Sequence, residues 1–398
     1  MTKESWISKV EQARNTALQF HAKLYTKEGY KYTVQHDVEK HPAAILYGTW
    51  SVAYLQKLLM GDAWNDKIQQ DFILNTLEKS RQTNGMFFPK ALDNIKFSKS
   101  KEYMMLHCYN YSVGAALAIN PNYDFQSSYM DEFLKPNFLE RWLNQRSLER
   151  PWEESNNIVN VASYLALCSD HGDTKGEQGL AQMLAWHVKN QNPQTGGFEN
   201  FGVNRKNLLQ SMGGSVHNFH IHHYLKAPMQ YEAVIAKNLI PFLYEGPLTA
   251  CLSIDFVELA CRTIIFMEDT YELEQALLFH LDALLKYQNE DGGWYENESS
   301  SIPTTANGMK ETKASSNSYA TWFRLCSIGM IMITLFGEDK SKWHFRKTLG
   351  MGYAPDTWYT VNPKSFVLDK VVIRKYNRKN FPHLFKKKAI ATAIKLIR

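Results

Sequence analysis

Apolar residues recur three and four positions apart along most of the chain, the spacing that places them on one face of an α-helix. Six segments follow this pattern for two to four helical turns, at 44–59, 72–81, 159–169, 180–191, 256–267 and 273–288. Strict alternation of apolar and polar residues, which would indicate a half-buried strand, is nearly absent. The sequence therefore predicts an all-α protein.

Three of these helices end in related turns, at 81–87, 190–198 and 287–294. Each turn has Gln, a short polar spacer, Gly and then an aromatic residue. Glycine permits the positive φ that stops a helix, and the aromatic side chain fills the hairpin. With looser turns near Gly29, Ser147 and Gly246, the turns are about 53 residues apart, enough for one helical hairpin each. Six such hairpins account for residues 1–345, and residues 346–398 form a C-terminal extension.

The second helix of each predicted hairpin is polar only at its start. The six starting segments are 41–47, 103–109, 151–157, 214–220, 253–258 and 315–322. A helix buried on most sides should be apolar throughout, so polar first turns indicate that they line a shared cavity. This pattern predicts a single (α/α)6-type toroid, in which outer helices are solvated and inner helices surround a funnel.

The Gln-x(3,4)-Gly-Gly-aromatic turns at 191–198 and 288–294 resemble those of the terpenoid cyclase and protein prenyltransferase toroids. Similar turns occur in the glycan-active (α/α)6 enzymes, which include lyases, hydrolases and epimerases. The resemblance implies the toroid fold more strongly than any one reaction. The chain has no Asp-x-Asp-Asp acid of the cyclases, and Asp255 and Cys261 do not reproduce the Asp-x-Cys zinc site of the prenyltransferases.

Glu153, Asn156 and Asn157 lie near the start of the third inner helix. A carboxylate beside amides in a cavity suits a polyol or uronate substrate, and the Asn-Asn pair resembles the residues that neutralise the uronate in toroid lyases. Capping of the helix amino terminus is the alternative.

Four of the thirteen histidines fall between positions 217 and 223. His217 and His220 share one helical face, and an imidazole near neutral pKa suits a general acid or base. Packing in the core and a metal site completed from another hairpin are the alternatives. Asp255 begins the next inner helix, where it is either an acid facing the funnel or a structural group, and Glu258 is spaced to pair with Arg262.

Composition indicates a folded chain. Of 398 residues, 44% are hydrophobic, which excludes a disordered chain. Five scattered cysteines without a CxxC spacing favour buried thiols over disulfides or zinc. The polar start has no apolar signal core, and no run of 18 apolar residues occurs, so we expect a cytoplasmic protein.

Charge is divided unevenly along the chain. Residues 370–398 carry ten basic side chains and no acidic one, although the whole chain has a net charge of only +5. Residues 381–398 have the pattern of a basic amphipathic helix, which predicts peripheral contact with an anionic membrane surface, at the inner face for a cytoplasmic protein. A solvated helix packed on the ring is the alternative. We expect no nucleic-acid partner.

These features predict acid–base chemistry on a glycan, including a lipid-linked one, in envelope polysaccharide metabolism, without a cofactor or metal. The expected catalytic residues are His217, His220, Asp255, Glu153 and Tyr109. The expected substrate contacts are Asn156, Asn157, His107, Glu258, Asn317, Tyr319 and Trp322. An isoprenoid cyclase or prenyl-transfer enzyme is the first alternative, with a wall of aromatic residues and one isolated acid. A non-catalytic toroid that binds a glycan or a protein is the second.

Overall fold

A computed structural model describes residues 2–89, 101–200, 204–246, 249–296, 314–353 and 358–380, without the side chains of residues 205 and 377–380. Within these ranges the chain is mostly helical, which confirms the all-α class. The helices are α1 (Lys3–Ala22), α2 (Ala44–Met60), α3 (Lys67–Glu78), α4 (Lys101–Ile119), α5 (Pro136–Asn144), α6 (Pro151–Asp170), α7 (Thr174–Asn190), α8 (Arg205–Tyr224), α9 (Glu232–Leu243), α10 (Ala250–Thr263), α11 (Tyr271–Lys286), α12 (Ser318–Phe336) and α13 (Lys370–Asn380).

Strands are short and few in the described part of the chain. The strands β1 (Tyr25–Thr26) and β2 (Gly29–Tyr30) form one antiparallel pair, and β3 (Trp294–Tyr295) and β4 (Ser316–Asn317) form another. Each pair lies beside the start of a buried helix, since β2 packs against α2 and both β3 and β4 pack against α12.

Several helices begin where a polar side chain caps the amino terminus. Asp66, Asp173, Asn204, Thr249 and Asn317 each accept a hydrogen bond from a backbone N–H in the first turn of the following helix. These caps satisfy N–H groups that have no partner within the helix. The boundaries of α3, α7, α8, α10 and α12 are therefore set by local sequence.

The even-numbered helices from α2 to α12 contact one another in chain order, and α12 also contacts α2. These helices are buried along most of their length. Most odd-numbered helices contact two of them: α3 lies against α2 and α4, α7 against α6 and α8, and α9 against α8 and α10. The odd-numbered helices have mixed buried and exposed faces, so the core lies between two sets of helices.

The repeated Gln of the hairpin turns holds each turn closed. The amide of Gln191 donates to the carbonyl of Gly196 at 2.8 Å, and that of Gln288 donates to the carbonyl of Gly292 at 2.9 Å. Gln288 also donates to the Ala13 carbonyl at 2.9 Å, which ties its turn to α1. Gly196 and Gly292 have positive φ, as the sequence predicts. The aromatic residues that follow, Phe198 and Trp294, are buried.

Residues 343–353 return to the core after α12. The guanidinium of Arg346 bonds to Asn110 on α4, and the carbonyl of Tyr353 accepts from Arg262 on α10. Further along, the ring of Tyr376 on α13 stacks on Tyr244 at 4.8 Å. The basic helix predicted for 381–398 lies outside the described residues. The division into 1–345 and 346–398 stays a prediction.

The helix α12 is long and apolar enough to cross a membrane by length and composition alone. However, 94% of its most apolar window is buried inside the protein. A core helix passes the same test, and α12 packs against α2, α10 and α11.

Candidate functional site

Side chains from four successive even-numbered helices lie close together. Those of α4, α6 and α10 come from the first half of each helix, whereas the one from α8 lies past the middle of that helix, which begins at Arg205 and not at the predicted position 214. We call this group the central cluster, which comprises Tyr103 and His107 of α4, Asn156 of α6, His217 of α8 and Asp255 of α10. The closest polar contacts join His217 to Asn156 at 3.1 Å and to Asp255 at 4.0 Å. Burial is the main cause of the lowered pKa of His217 and of the raised pKa of Tyr103, and the charges of His107 and Asp255, respectively, add to these shifts.

His217 is held as a neutral imidazole. The amide nitrogen of Asn156 donates to the Trp152 carbonyl at 2.8 Å and also lies 3.1 Å from Nε2 of His217. Because an amide N–H donates, Nε2 is assigned as the acceptor and the ring proton as residing on Nδ1. Burial is the main reason that the pKa of His217 is well below its usual value, and His220 and His107 lower it further.

Asp255 has the opposite protonation preference. Burial raises its pKa well above the usual value, and the nearby charge of Glu258 acts in the same direction. Neither carboxyl oxygen makes a hydrogen bond of normal length and angle within the described residues, although the Trp152 side chain slightly favours ionisation. A buried carboxyl without a charge partner takes the protonated form. The site thus places a neutral acid beside a neutral base.

His220 and Glu258 form a separate charged group with Arg262. Nε2 of His220 donates to Oε1 of Glu258 at 2.8 Å, and Arg262 contacts the same oxygen at 3.0 Å. All three side chains are buried. The predicted pairing of Glu258 with Arg262 is present, and the ring of His220 lies across that of His217, with centroids 6.2 Å apart. The group therefore borders the central cluster.

Aromatic side chains cover one side of the cluster. The ring of His107 stacks on Tyr103 at 5.7 Å and on Tyr111 at 4.3 Å. Trp50 contacts His107, Tyr111 and Tyr319 with ring centroids 4.8–6.3 Å apart. Tyr319 is partly exposed, whereas Trp50 is fully buried. The predicted contact Tyr319 thus borders both the aromatic layer and solvent.

The remaining predicted residues have other partners. Glu153 is a mostly buried carboxylate 3.7 Å from the guanidinium of Arg150, and its charge raises the pKa of Tyr103. Asn157 turns away from His217, since its amide donates to Glu154 at 3.4 Å.

Three further predicted residues are engaged in the core. The hydroxyl of Tyr109 donates to the Phe125 carbonyl, so the structure does not bring it to His217. Asn317 caps α12 through the Ala320 N–H at 2.6 Å, and Trp322 stacks on Tyr54 at 4.5 Å.

Sequence reasoning missed two buried arginines. Arg346 bonds to Asn110, and Arg324 donates to the Glu296 carbonyl at 3.1 Å. A buried cation in an otherwise apolar helix is a usable signal for Arg324, because such a side chain needs partners. Arg346 follows the last predicted hairpin, and no local pattern indicates that its segment returns to the core. Within the described ranges, no three His, Cys, Asp or Glu side chains are grouped so that they could hold a metal ion.

No family model, curated protein or solved structure matches the chain. A function for the chain must therefore be inferred from the chemistry of the central cluster.

Proposed function

We propose that the chain is an (α/α)6 toroid. The cyclic order of contacts from α2 through α12 and back to α2 supports an inner ring of six helices. The odd-numbered helices, packed between neighbouring members of that ring, would form the outer layer. In such a ring the central cluster would lie on the inner helices, where all of its side chains are buried.

We further propose that the central cluster performs general acid–base chemistry on a glycan. The observation that carries this proposal is the 4.0 Å distance between Oδ1 of Asp255 and Nε2 of His217, two groups whose pKa values are shifted in opposite directions. Groups whose environments push their pKa values apart are suited to separate acid and base roles. Asp255 is the proton donor and His217 is the proton acceptor.

In bond cleavage, Asp255 would give its proton to the glycosidic oxygen that leaves. In a lyase, His217 would accept the proton from the substrate carbon, and in an epimerase it would do so without cleavage of a glycosidic bond. A hydrolase would need His217 and Asp255 to be further apart than 4.0 Å, because the attacking water and the leaving oxygen lie on opposite faces of the sugar. Asn156 and Glu153 offer hydrogen-bond partners for sugar hydroxyls, and Tyr103 and Tyr319 offer aromatic faces for the apolar side of a sugar ring. A lipid-linked envelope glycan is a member of this substrate class.

The test is turnover of a panel of neutral and uronate-containing envelope polysaccharides. Reducing-end assays detect hydrolysis, and ultraviolet absorbance detects the unsaturated product of a lyase. We expect Asp255→Asn and His217→Gln each to reduce the rate at least a hundredfold, about the size of one general acid or base contribution. His187→Gln is the matched control, since His187 is also fully buried but lies on α7. Retained activity in either site variant contradicts the assignment.

A second candidate is protonation of an isoprenoid alkene. Its supporting observation is that the pKa of Asp255 is raised by burial and that its one possible ion-pair partner among the described residues, His217 at 4.0 Å, is neutral. An aromatic layer of Trp50, Tyr111 and His107 borders the same cluster. Aromatic faces stabilise carbocations. Mass spectrometry of products from linear isoprenoids separates the two candidates, because alkene protonation needs Asp255 whereas the glycan reaction also needs His217 as a base.

We also propose that the carboxy-terminal region contacts an anionic membrane surface. Lys370, Val371, Arg374 and Lys375 on α13 are exposed, and Val371 is 75% exposed. Basic residues beside exposed apolar ones are typical of membrane-surface helices. Flotation with anionic vesicles tests this, with neutral vesicles as the control. Val371→Asp combined with Lys370→Glu should abolish flotation, and unchanged flotation of this variant contradicts α13 as the contact.

A further inference from the structure

Asp255 and Glu258 are three residues apart on α10, and both are fully buried. This spacing places them on the same side of the helix. Among the described residues, Glu258 has close polar partners and Asp255 has none at hydrogen-bonding distance and angle: Nε2 of His220 lies 2.8 Å and Arg262 lies 3.0 Å from Oε1 of Glu258. Two neighbouring carboxyls in a buried site do not both ionise readily. The partners therefore determine which of the two carries the charge.

The support of Glu258 continues to residues 343–353. Arg262 contacts Glu258 through Nε at 3.1 Å and donates from Nη2 to the carbonyl of Tyr353 at 3.0 Å. The ring of Tyr353 also packs against His220, with centroids 5.8 Å apart. Although burial opposes ionisation, His220 and Arg262 lower the pKa of Glu258 below its usual value. His220 and Arg262 thus hold an ionised carboxylate one helical turn from Asp255.

Other groups near Asp255 have smaller or opposing effects. Glu296, which follows β3, raises the pKa of Asp255, but it ranks behind Glu258 as a cause. Trp152 on α6 acts in the opposite direction, and His217 on α8 lies 4.0 Å away as a neutral ring. Apart from burial itself, Glu258 is the main influence that favours the protonated form of Asp255.

We propose that Glu258 is a positioning residue, held ionised by Arg262 and His220, that keeps Asp255 in its acid form. This inference rests on the proposed function, in which Asp255 donates a proton. Glu258 would then act on the protonation of Asp255 and would not make the substrate contact expected from the sequence. It also links the protonation of the site to Tyr353, whose carbonyl accepts from Arg262 and whose ring packs against His220.

The test follows the side-chain carboxyl of Asp255 by NMR in protein labelled with ¹³C-aspartate, with the signal assigned through Asp255→Asn. In Glu258→Gln, which keeps the shape and the acceptor for His220, we expect Asp255 to titrate at least one pH unit lower, about a tenfold change in its acid dissociation constant. Glu199→Gln, at a buried carboxylate bonded to Thr195 and Ser211, is the control and should leave the titration in place.

Glu258→Gln leaves the charge of Arg262 without its partner, which endangers folding. The double variant Glu258→Gln/Arg262→Gln removes both charges and should show the same downward shift. An unchanged titration in the double variant overturns the inference, because the single-variant shift would then come from the unpaired arginine. The titration requires no substrate. A downward shift without turnover of any glycan therefore counts against the proposed function alone.

Discussion

Nη2 of Arg346 donates to Oδ1 of Asn110 at 2.7 Å, and Asn110 in turn donates to Oδ1 of Asn160 at 2.8 Å. The guanidinium also lies against the rings of Tyr54 and Tyr111, at 4.8 and 5.2 Å from their centroids. A residue that follows the last helix of the even-numbered set thus joins α4 and α6. Its segment is part of the core between these helices.

Arg346→Ala should therefore destabilise the whole protein. The substitution leaves the buried Asn110 oxygen without a donor and removes packing from two aromatic rings. We expect the free energy of unfolding to fall by about 2–4 kcal/mol, measured by urea denaturation. Lys347→Ala, at the exposed neighbouring position, is the control and should change it by less than about 0.5 kcal/mol. Equal effects of the two substitutions would show that Arg346 makes no net contribution.

The stability of Asp255→Asn relative to wild type should increase as the pH rises. The folded-state pKa of Asp255 is raised, so above about pH 4 the unfolded chain loses this proton while the folded chain keeps it. Folding stability therefore falls with rising pH by about 1.4 kcal/mol per unit until the folded pKa is reached.

Asparagine has no such titration, so the stability difference between variant and wild type should grow between pH 4 and pH 7. Denaturation curves at several pH values measure this difference. A constant difference across that range would mean that Asp255 ionises normally in the folded state.

Much of the fold was predictable because its signals are local. Helical periodicity, the capping residues and the Gln–Gly–aromatic turns each act within a few residues of the chain. Gln288 shows the limit: its repeat predicts a turn, but its second bond, to Ala13, joins positions far apart in sequence. The cyclic contact between α12 and α2 likewise depends on packing along the whole chain.

The site was predictable only in part. The three residues His217, Asn156 and Asp255 were each expected at a helix start, and their side chains lie close together, but α8 begins at Arg205 and His217 is past its middle. Helical spacing predicts that His220 and His217 share a face. It cannot predict that Glu258, on another helix, binds His220. Asn156 and Asn157 are adjacent in the sequence, but successive residues of a helix are rotated by about 100°, so their side chains have different partners.

His21→Leu should make the protein less sensitive to acid. Burial lowers the pKa of His21 to about 3, and neither ring nitrogen has a hydrogen-bond partner among the described residues. Below about pH 6.5 the unfolded chain binds a proton that the folded chain does not, so stability is lost as the pH falls toward 3. The free energy of unfolding of the variant minus that of wild type should be about 2 kcal/mol larger at pH 5 than at pH 8. Parallel stability curves for the two proteins would contradict a neutral buried His21.

Glycine can be required in a hairpin turn for its positive φ or for lack of space for a Cβ atom, and Gly246 and Gly292 separate these two reasons. Both have positive φ, at 92° and 81°. A Cβ at Gly292 would lie 2.1 Å from the backbone oxygen of Thr16, whereas the nearest described atom at Gly246 is 3.9 Å away. Gly246→Ala should cost only the left-handed conformation, about 1–2 kcal/mol. Gly292→Ala should cost about 3–5 kcal/mol, because α1 must also move. Urea denaturation compares them, and equal losses would show that the turn can shift away from α1 without cost.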